Sequence, residues 1–137
     1  MSTESCRYQA GRWLRQARAD LRAAEASRAA GSFEWACFQS QQAAEKALKA
    51  IWYHHGFDPW GHSAQKLIQD FPDQGVGAEL SRLTAQARHL DRLYVPTRYP
   101  NGLPDLTPAE VYTDRDAREA IEAAEAVIRH VGSEIGS

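Results

Sequence analysis

The chain of 137 residues reads as an all-α protein made of four long helices, one short helix and a proline-rich loop. Apolar residues recur at steps of three and four through most of the chain, the period of a helix with one buried face. Glycine, proline or a hydroxyl-bearing residue stands at the junctions between those stretches. No segment alternates with period two for long enough to make a strand. The length suits one domain over residues 1–137, with a core over about 8–131 and frayed ends.

The first helix runs from Tyr8 to about Ala30, with Ala10, Trp13, Leu14, Ala17, Leu21 and Ala24 on its apolar side and Gly31 as its stop. Arg12, Arg15, Arg18 and Arg22 form a second stripe beside the apolar one. Such a stripe could track a phosphate backbone, or it could be a solvated face or the mate of an acidic helix. A candidate mate is the last helix, with Asp114, Asp116, Glu119, Glu122 and Glu125. The second helix spans Ser32 to Gly56, opened by a serine cap and closed by glycine. Trp35, Phe38, Leu48, Ile51 and Trp52 make it the central core helix, and its alanines let a neighbouring helix approach. Glu45 and Lys49 are spaced as a helical ion pair, worth about 0.3 to 0.5 kcal/mol on an exposed face.

Phe57 to Gly61 is a turn, Ser63 to Phe71 a short helix with Leu67 and Ile68 facing in, and Pro72 to Gly77 a second turn. His62, at a helix boundary, either caps it or serves a ligand. Leu80, Leu83, Ala87, Leu90 and Tyr94 define the next helix, which Pro96 ends near Tyr94. Pro96, Pro100, Pro104 and Pro108 then hold a long loop, and a long loop in so small a protein points to function. Arg98 and Tyr99 lie between two of these prolines. Either Tyr94 and Tyr99 pack the core while Arg98 clamps Asp91, or the group faces a ligand. Thr107 with Glu110 and Thr113 with Asp116 are cap-and-acid pairs, and the last helix runs from about Asp114 to Val131 with Gly132 as its end.

Composition removes several classes. A net charge of -2 predicts no bulk attraction to nucleic acid, so only local patches can carry it. Cys6 and Cys37 match no metal-ligand spacing, which points to a reduced, cytoplasmic protein, and Cys37 amid aromatics reads as a buried thiol. No apolar run approaches the roughly 20 residues of a membrane span. Gly31, Gly56 and Gly61 are isolated stops rather than a phosphate cradle, and adjacent His54 and His55 diverge on a helix. The residues therefore call for no metal and no cofactor.

The run QQAAEKALKA, the Gly61-His62 pair before a short helix, and LDRLYVPTRYP followed by a threonine-acid helix start resemble the HEPN family, named for higher eukaryotes and prokaryotes nucleotide-binding domains. The likeness spans roughly residues 8–131. It implies an up-and-down helical bundle, usually a homodimer, in some cases encoded beside a minimal nucleotidyltransferase as a two-component, toxin–antitoxin-like system. Ribonuclease members carry an arginine followed, after four to six residues, by a histidine. Arginine stabilises phosphate charge there and histidine moves a proton. Arg82 and His89 meet that spacing, but Leu83 stands where a polar residue is expected. The segment aligned with the catalytic one reads Arg88 to Tyr94, which moves weight to Arg98 and Tyr99.

Three readings follow. The first is a module binding nucleotide or RNA phosphate, with Arg98 as clamp, Tyr94 or Tyr99 as stacking surface, Asp91 orienting Arg98, and His62 nearby. The second is a metal-independent ribonuclease toxin with sites composed across a dimer from Arg82 and His89. The third is a structural partner of a nucleotidyltransferase, in which Arg98-Tyr99-Pro100 is a packing latch.

Overall fold

In the computed structural model, which describes residues 2–136, α1 (Thr3–Ala29) and α2 (Phe33–His54) lie against each other as the most extensive contact in the molecule. The short α3 (Ala64–Gln69) follows, then α4 (Gln74–Leu80), which passes through a 3₁₀ turn at Ser81–Leu83 into α5 (Thr84–Asp91). A second 3₁₀ turn at Pro100–Gly102 and the single turn of α6 (Pro108–Val111) lead to α7 (Asp114–Ile135). The described residues contain no strand, and none of their helices is long and apolar enough to cross a membrane. The fold is all-α, as the periodicity predicts. The ends beyond about 8–131, expected to be frayed, are helical at residues 3–7 and 132–135, and Met1 and Ser137 lie outside the described residues.

α2 is the central element. It packs on α1 and α7 and also touches α3, α5 and α6. Ala36, Ala43, Ala44, Ala47 and Ala50 are fully buried along it, so neighbouring backbones come close, while Leu48 and Ile51 fill the space between them. Burying each of those two side chains contributes about 1.5 to 3 kcal/mol. Gly31 and Gly56 end α1 and α2 in the left-handed conformation, at φ 83° and 79°.

Four local expectations change. Ser32 stands at the start of α2 without a capping bond, because its backbone (φ −89°, ψ 70°) lies outside the extended range that aims a cap side chain. Residues 74–77, expected in a turn, form the start of α4, where the Asp73 carboxylate accepts from Val76 N at 3.0 Å. The helix expected through Leu80 and Leu90 is divided at Ser81–Leu83, where Ser81 and Thr84 donate their hydroxyls to the carbonyls of Ala78 and Ser81 at 2.6 and 2.8 Å. Leu80, Leu83, Ala87 and Leu90 stay buried across the break. Gly132 lies buried inside α7, and Gly136, at φ 77°, is the stop.

At its other end α7 begins at a reciprocal cap. Thr113 N donates to Asp116 at 2.8 Å and Asp116 N to the Thr113 hydroxyl at 3.2 Å. The next acid, Asp114, accepts from Arg28 at the end of α1 at 2.7 Å, which holds its carboxyl below the usual carboxylate range. Thr113→Ala is expected to cost about 1 kcal/mol of stability, read as a lower urea midpoint with an unchanged slope.

Candidate functional site

After α5 the chain turns tightly through residues 92–98. Thr97 is buried and donates its hydroxyl to the carbonyl of Leu93. The following turn folds back so closely that a Cβ on Gly102 would lie 3.1 Å from Pro96 Cα, so only glycine fits there without displacing the loop. Arg98 rides on this doubled-back segment. Its Nε donates to the Tyr94 carbonyl at 2.9 Å, and its guanidinium lies 4.3 Å from the ring centre of Phe38, 4.7 Å from that of Tyr94 and 5.2 Å from that of Tyr99. Arg98 forms no ion pair among the described residues.

Tyr94 in turn stacks on His62, with ring centres 5.4 Å apart and planes 14° from parallel. His62 is held from α2 on two sides. Gln41 Nε2 donates to its carbonyl at 3.0 Å, and its Nδ1 lies 3.5 Å from Glu45 Oε2. Glu45 is buried, and Lys49 Nζ approaches the same oxygen at 3.2 Å. The sequence-predicted residues His62, Tyr94, Arg98 and Tyr99 thus converge on one corner, with an exposed His62 ring and an exposed Tyr99 at its edges. A shallow cleft of about 230 Å³ opens between His62, Ser63, Asp91 and Tyr94.

Asp91 does not orient or clamp Arg98. Its two oxygens accept from the Ser63 hydroxyl at 2.7 Å and from the backbone N–H groups of Ala64 and Gln65 at 2.7 and 3.0 Å. These are free donors in the first turn of α3, and a carboxylate from another helix satisfies them. Asp91 therefore positions the segment that carries His62.

Phe38, Gln41 and Glu45 also build the corner, and the sequence reading left them out of it. The pair Glu45–Lys49 has the spacing of a solvent-exposed bridge, yet Glu45 is 3% exposed. The available signal was a glutamine and a glutamate one turn apart on a helix otherwise lined with alanines, a polar row on a face meant for burial.

Arg82 and His89 do not meet within the chain. Arg82 sits exposed in the 3₁₀ turn and pairs with Glu79 at 3.3 Å. His89 lines a cleft of about 380 Å³ between α5 and α7 with Gln86, Glu119 and Glu122, and Arg82 is absent from its lining. The 3₁₀ turn breaks the helical register on which their common face depended. The Cys37 thiol is pushed up to about 12 by burial and by the negative charges of Asp116 and Glu34, so it is no nucleophile at neutral pH. The His54 and His55 rings meet edge to face, 5.2 Å apart, and no group of three or more His, Cys, Asp or Glu positioned for a metal occurs among the described residues.

An all-helical bundle with a cationic and aromatic corner after α5 is the class that fold and site define. The chain belongs to the HEPN domain family, whose profile matches residues 10–134. It is similar to the crystal structure of TT1696 from Thermus thermophilus, with 41% identity over 91% of this chain and 97% of that one and a TM-score of 0.85. For ST0689, an archaeal HEPN homologue, the figures are 35%, 93%, 98% and 0.77. For an HEPN domain protein of Thermotoga maritima they are 30%, 91%, 98% and 0.66. No protein with a curated description matches the chain.

Asp91→Ala leaves two backbone donors and the Ser63 hydroxyl without their acceptor, at an expected cost of about 1 to 3 kcal/mol. Thermal melts of the variant measure that loss directly.

Proposed function

We propose that the corner binds the phosphate of a nucleotide or RNA and that the protein acts as a binding module rather than through the Arg82 and His89 pair. The observation that supports this is the state of Arg98. Three aromatic rings surround its guanidinium, Nε is spent on the Tyr94 carbonyl, and no carboxylate among the described residues neutralises it. Its two terminal nitrogens have no hydrogen-bond partner among the described residues and are left for bidentate phosphate contact, with little ordering still to do on binding. Tyr99 at the edge and the exposed His62 ring give a base a surface to stack on, a contact worth about 1 to 3 kcal/mol.

Family membership supports a role as the helical partner of a minimal nucleotidyltransferase in a two-component, toxin–antitoxin-like system, with the chain acting as a homodimer. The two unpaired thiols, Cys6 and Cys37, suit a reducing cytoplasm.

Titration with ATP and with short RNA tests the corner. Arg98→Ala is expected to weaken both at least about tenfold, a loss of about 1.4 kcal/mol, with an unchanged circular dichroism spectrum. Arg98→Lys should not restore the affinity, since an ammonium lacks the planar fork. Unfolding of Arg98→Ala would instead make the segment a packing latch. RNA incubated with the protein and a chelator is expected to stay intact, and cleavage that disappears in His89→Ala would replace the binding reading with the nuclease one.

A further inference from the structure

Most acids of α7 are engaged away from the Arg12 and Arg15 end of the α1 stripe. Asp114 is taken by Arg28 and Arg118, Asp116 by the cap at Thr113, and Glu119 by Arg115. Glu122 lies in the cleft beside His89, and Glu125 borders the stripe at a groove it lines with Arg18 and Arg22. The other end of the stripe has no such neighbour. Arg12 and Arg15 are exposed and form no ion pair among the described residues, although Arg12 donates to Gln9 at 3.4 Å. Asp20, on the same helix, is held by Lys46 at 2.6 Å and accepts from Gln16 at 2.8 Å.

Arg12 and Arg15 open onto a groove of about 450 Å³ between α1 and α2, lined also by Trp13, Gln16 and Lys46. This groove is connected to the corner across one face of α2. Lys49 lies 5.7 Å over the Trp13 ring and bonds Glu45, which reaches His62 and, through it, Tyr94. On the same helix Phe38, beneath Arg98, and Lys46, in the groove, are about 12 Å apart along the axis. One phosphate cannot touch both ends, but a strand carrying several can.

We infer that the α1–α2 groove is a second phosphate anchor, and that groove and corner together take one single strand of nucleic acid laid across α2 in preference to a free nucleotide. Cationic ends joined by partly exposed aromatic rings, here Trp13 and Phe38, suit a sequence-tolerant single-strand binder. The inference rests on the corner being a phosphate site, and the test separates the two.

Fluorescence anisotropy with labelled ATP and with a labelled RNA oligomer of about ten nucleotides, at several salt concentrations, carries the test. The oligomer is expected to bind the wild-type protein at least about tenfold more tightly than ATP. Joint substitution Arg12→Ala and Arg15→Ala should weaken the oligomer several-fold and make its log–log salt slope shallower by about 1.4, for two lost phosphate contacts. Its ATP binding should not change, whereas Arg98→Ala should weaken both ligands. Restoring charge with Arg12→Lys and Arg15→Lys should recover the slope. If the double alanine variant keeps wild-type oligomer affinity and slope while Arg98→Ala weakens both ligands, the groove is no anchor and the corner stands. If Arg98→Ala changes neither ligand, the joint track fails together with the corner reading. A duplex bound as tightly as the single strand, with the same dependence on Arg12 and Arg15, overturns the single-strand assignment.

Discussion

A carboxylate buried in the central helix is the constraint on which the functional end of this molecule depends. Glu45 sits on the face of α2 that packs inward, where an unpaired charge would cost several kcal/mol. Lys49 supplies a cation from one turn further on, and the His62 ring approaches from outside the helix. Gln41, one turn before Glu45, holds the backbone carbonyl of the same histidine. A purely apolar α2 would pack as well and would leave the connection at residues 57–63 untethered. The polar row instead fixes where that connection crosses the bundle, and with it the plane against which Tyr94 stacks.

Asp91 serves the same end from the other side. Because its carboxylate completes the first turn of α3, the end of α5 and the start of α3 cannot separate without exposing unsatisfied N–H groups. Ser63, which donates to Asp91, is the neighbour of His62. Tyr94 lies three residues beyond Asp91 and takes Arg98 Nε on its carbonyl. The order of dependence therefore runs from the core outward: α2 sets the loop, the loop sets the histidine, and the histidine and tyrosine set the cation. The buried Thr97 and the contact of Gly102 with Pro96 remove the freedom left in the segment itself.

What could be read from the residues was whatever depends on near neighbours in the chain. The apolar stripes of α1, α2 and α7, the glycine stops at Gly31 and Gly56, and the Thr113–Asp116 cap are all local patterns, and each forms as its residues predict except at Trp35, expected in the core of α2 but 48% exposed near the start of the helix. Gly132 shows the limit. A glycine near the end of a helix reads as its stop, yet burial against the bundle carries α7 one turn further. The same limit applies to Asp91, whose nearby cation Arg98 drew the assignment while its true partners lie 26 to 28 residues back. Spacing likewise cannot tell whether Glu45 and Lys49 face water or the core. That is decided by what packs over α2, and therefore by the tertiary structure.

The distribution of charge follows from these local commitments. Acids at the start of α7 are drawn into its cap and into Arg28, where they also complement the helix dipole. Each acid used in this way is unavailable to Arg12 and Arg15. A net charge of -2 consequently says little about any one surface, because charges further apart than about 8 Å are largely screened at physiological salt. Glu119 and Glu122 lie in the α5–α7 cleft, whereas Arg12 and Arg15 border the α1–α2 groove. An approaching anion would meet the second surface without first being repelled by the first, so an acidic protein can present a locally basic face wherever its carboxylates are engaged elsewhere.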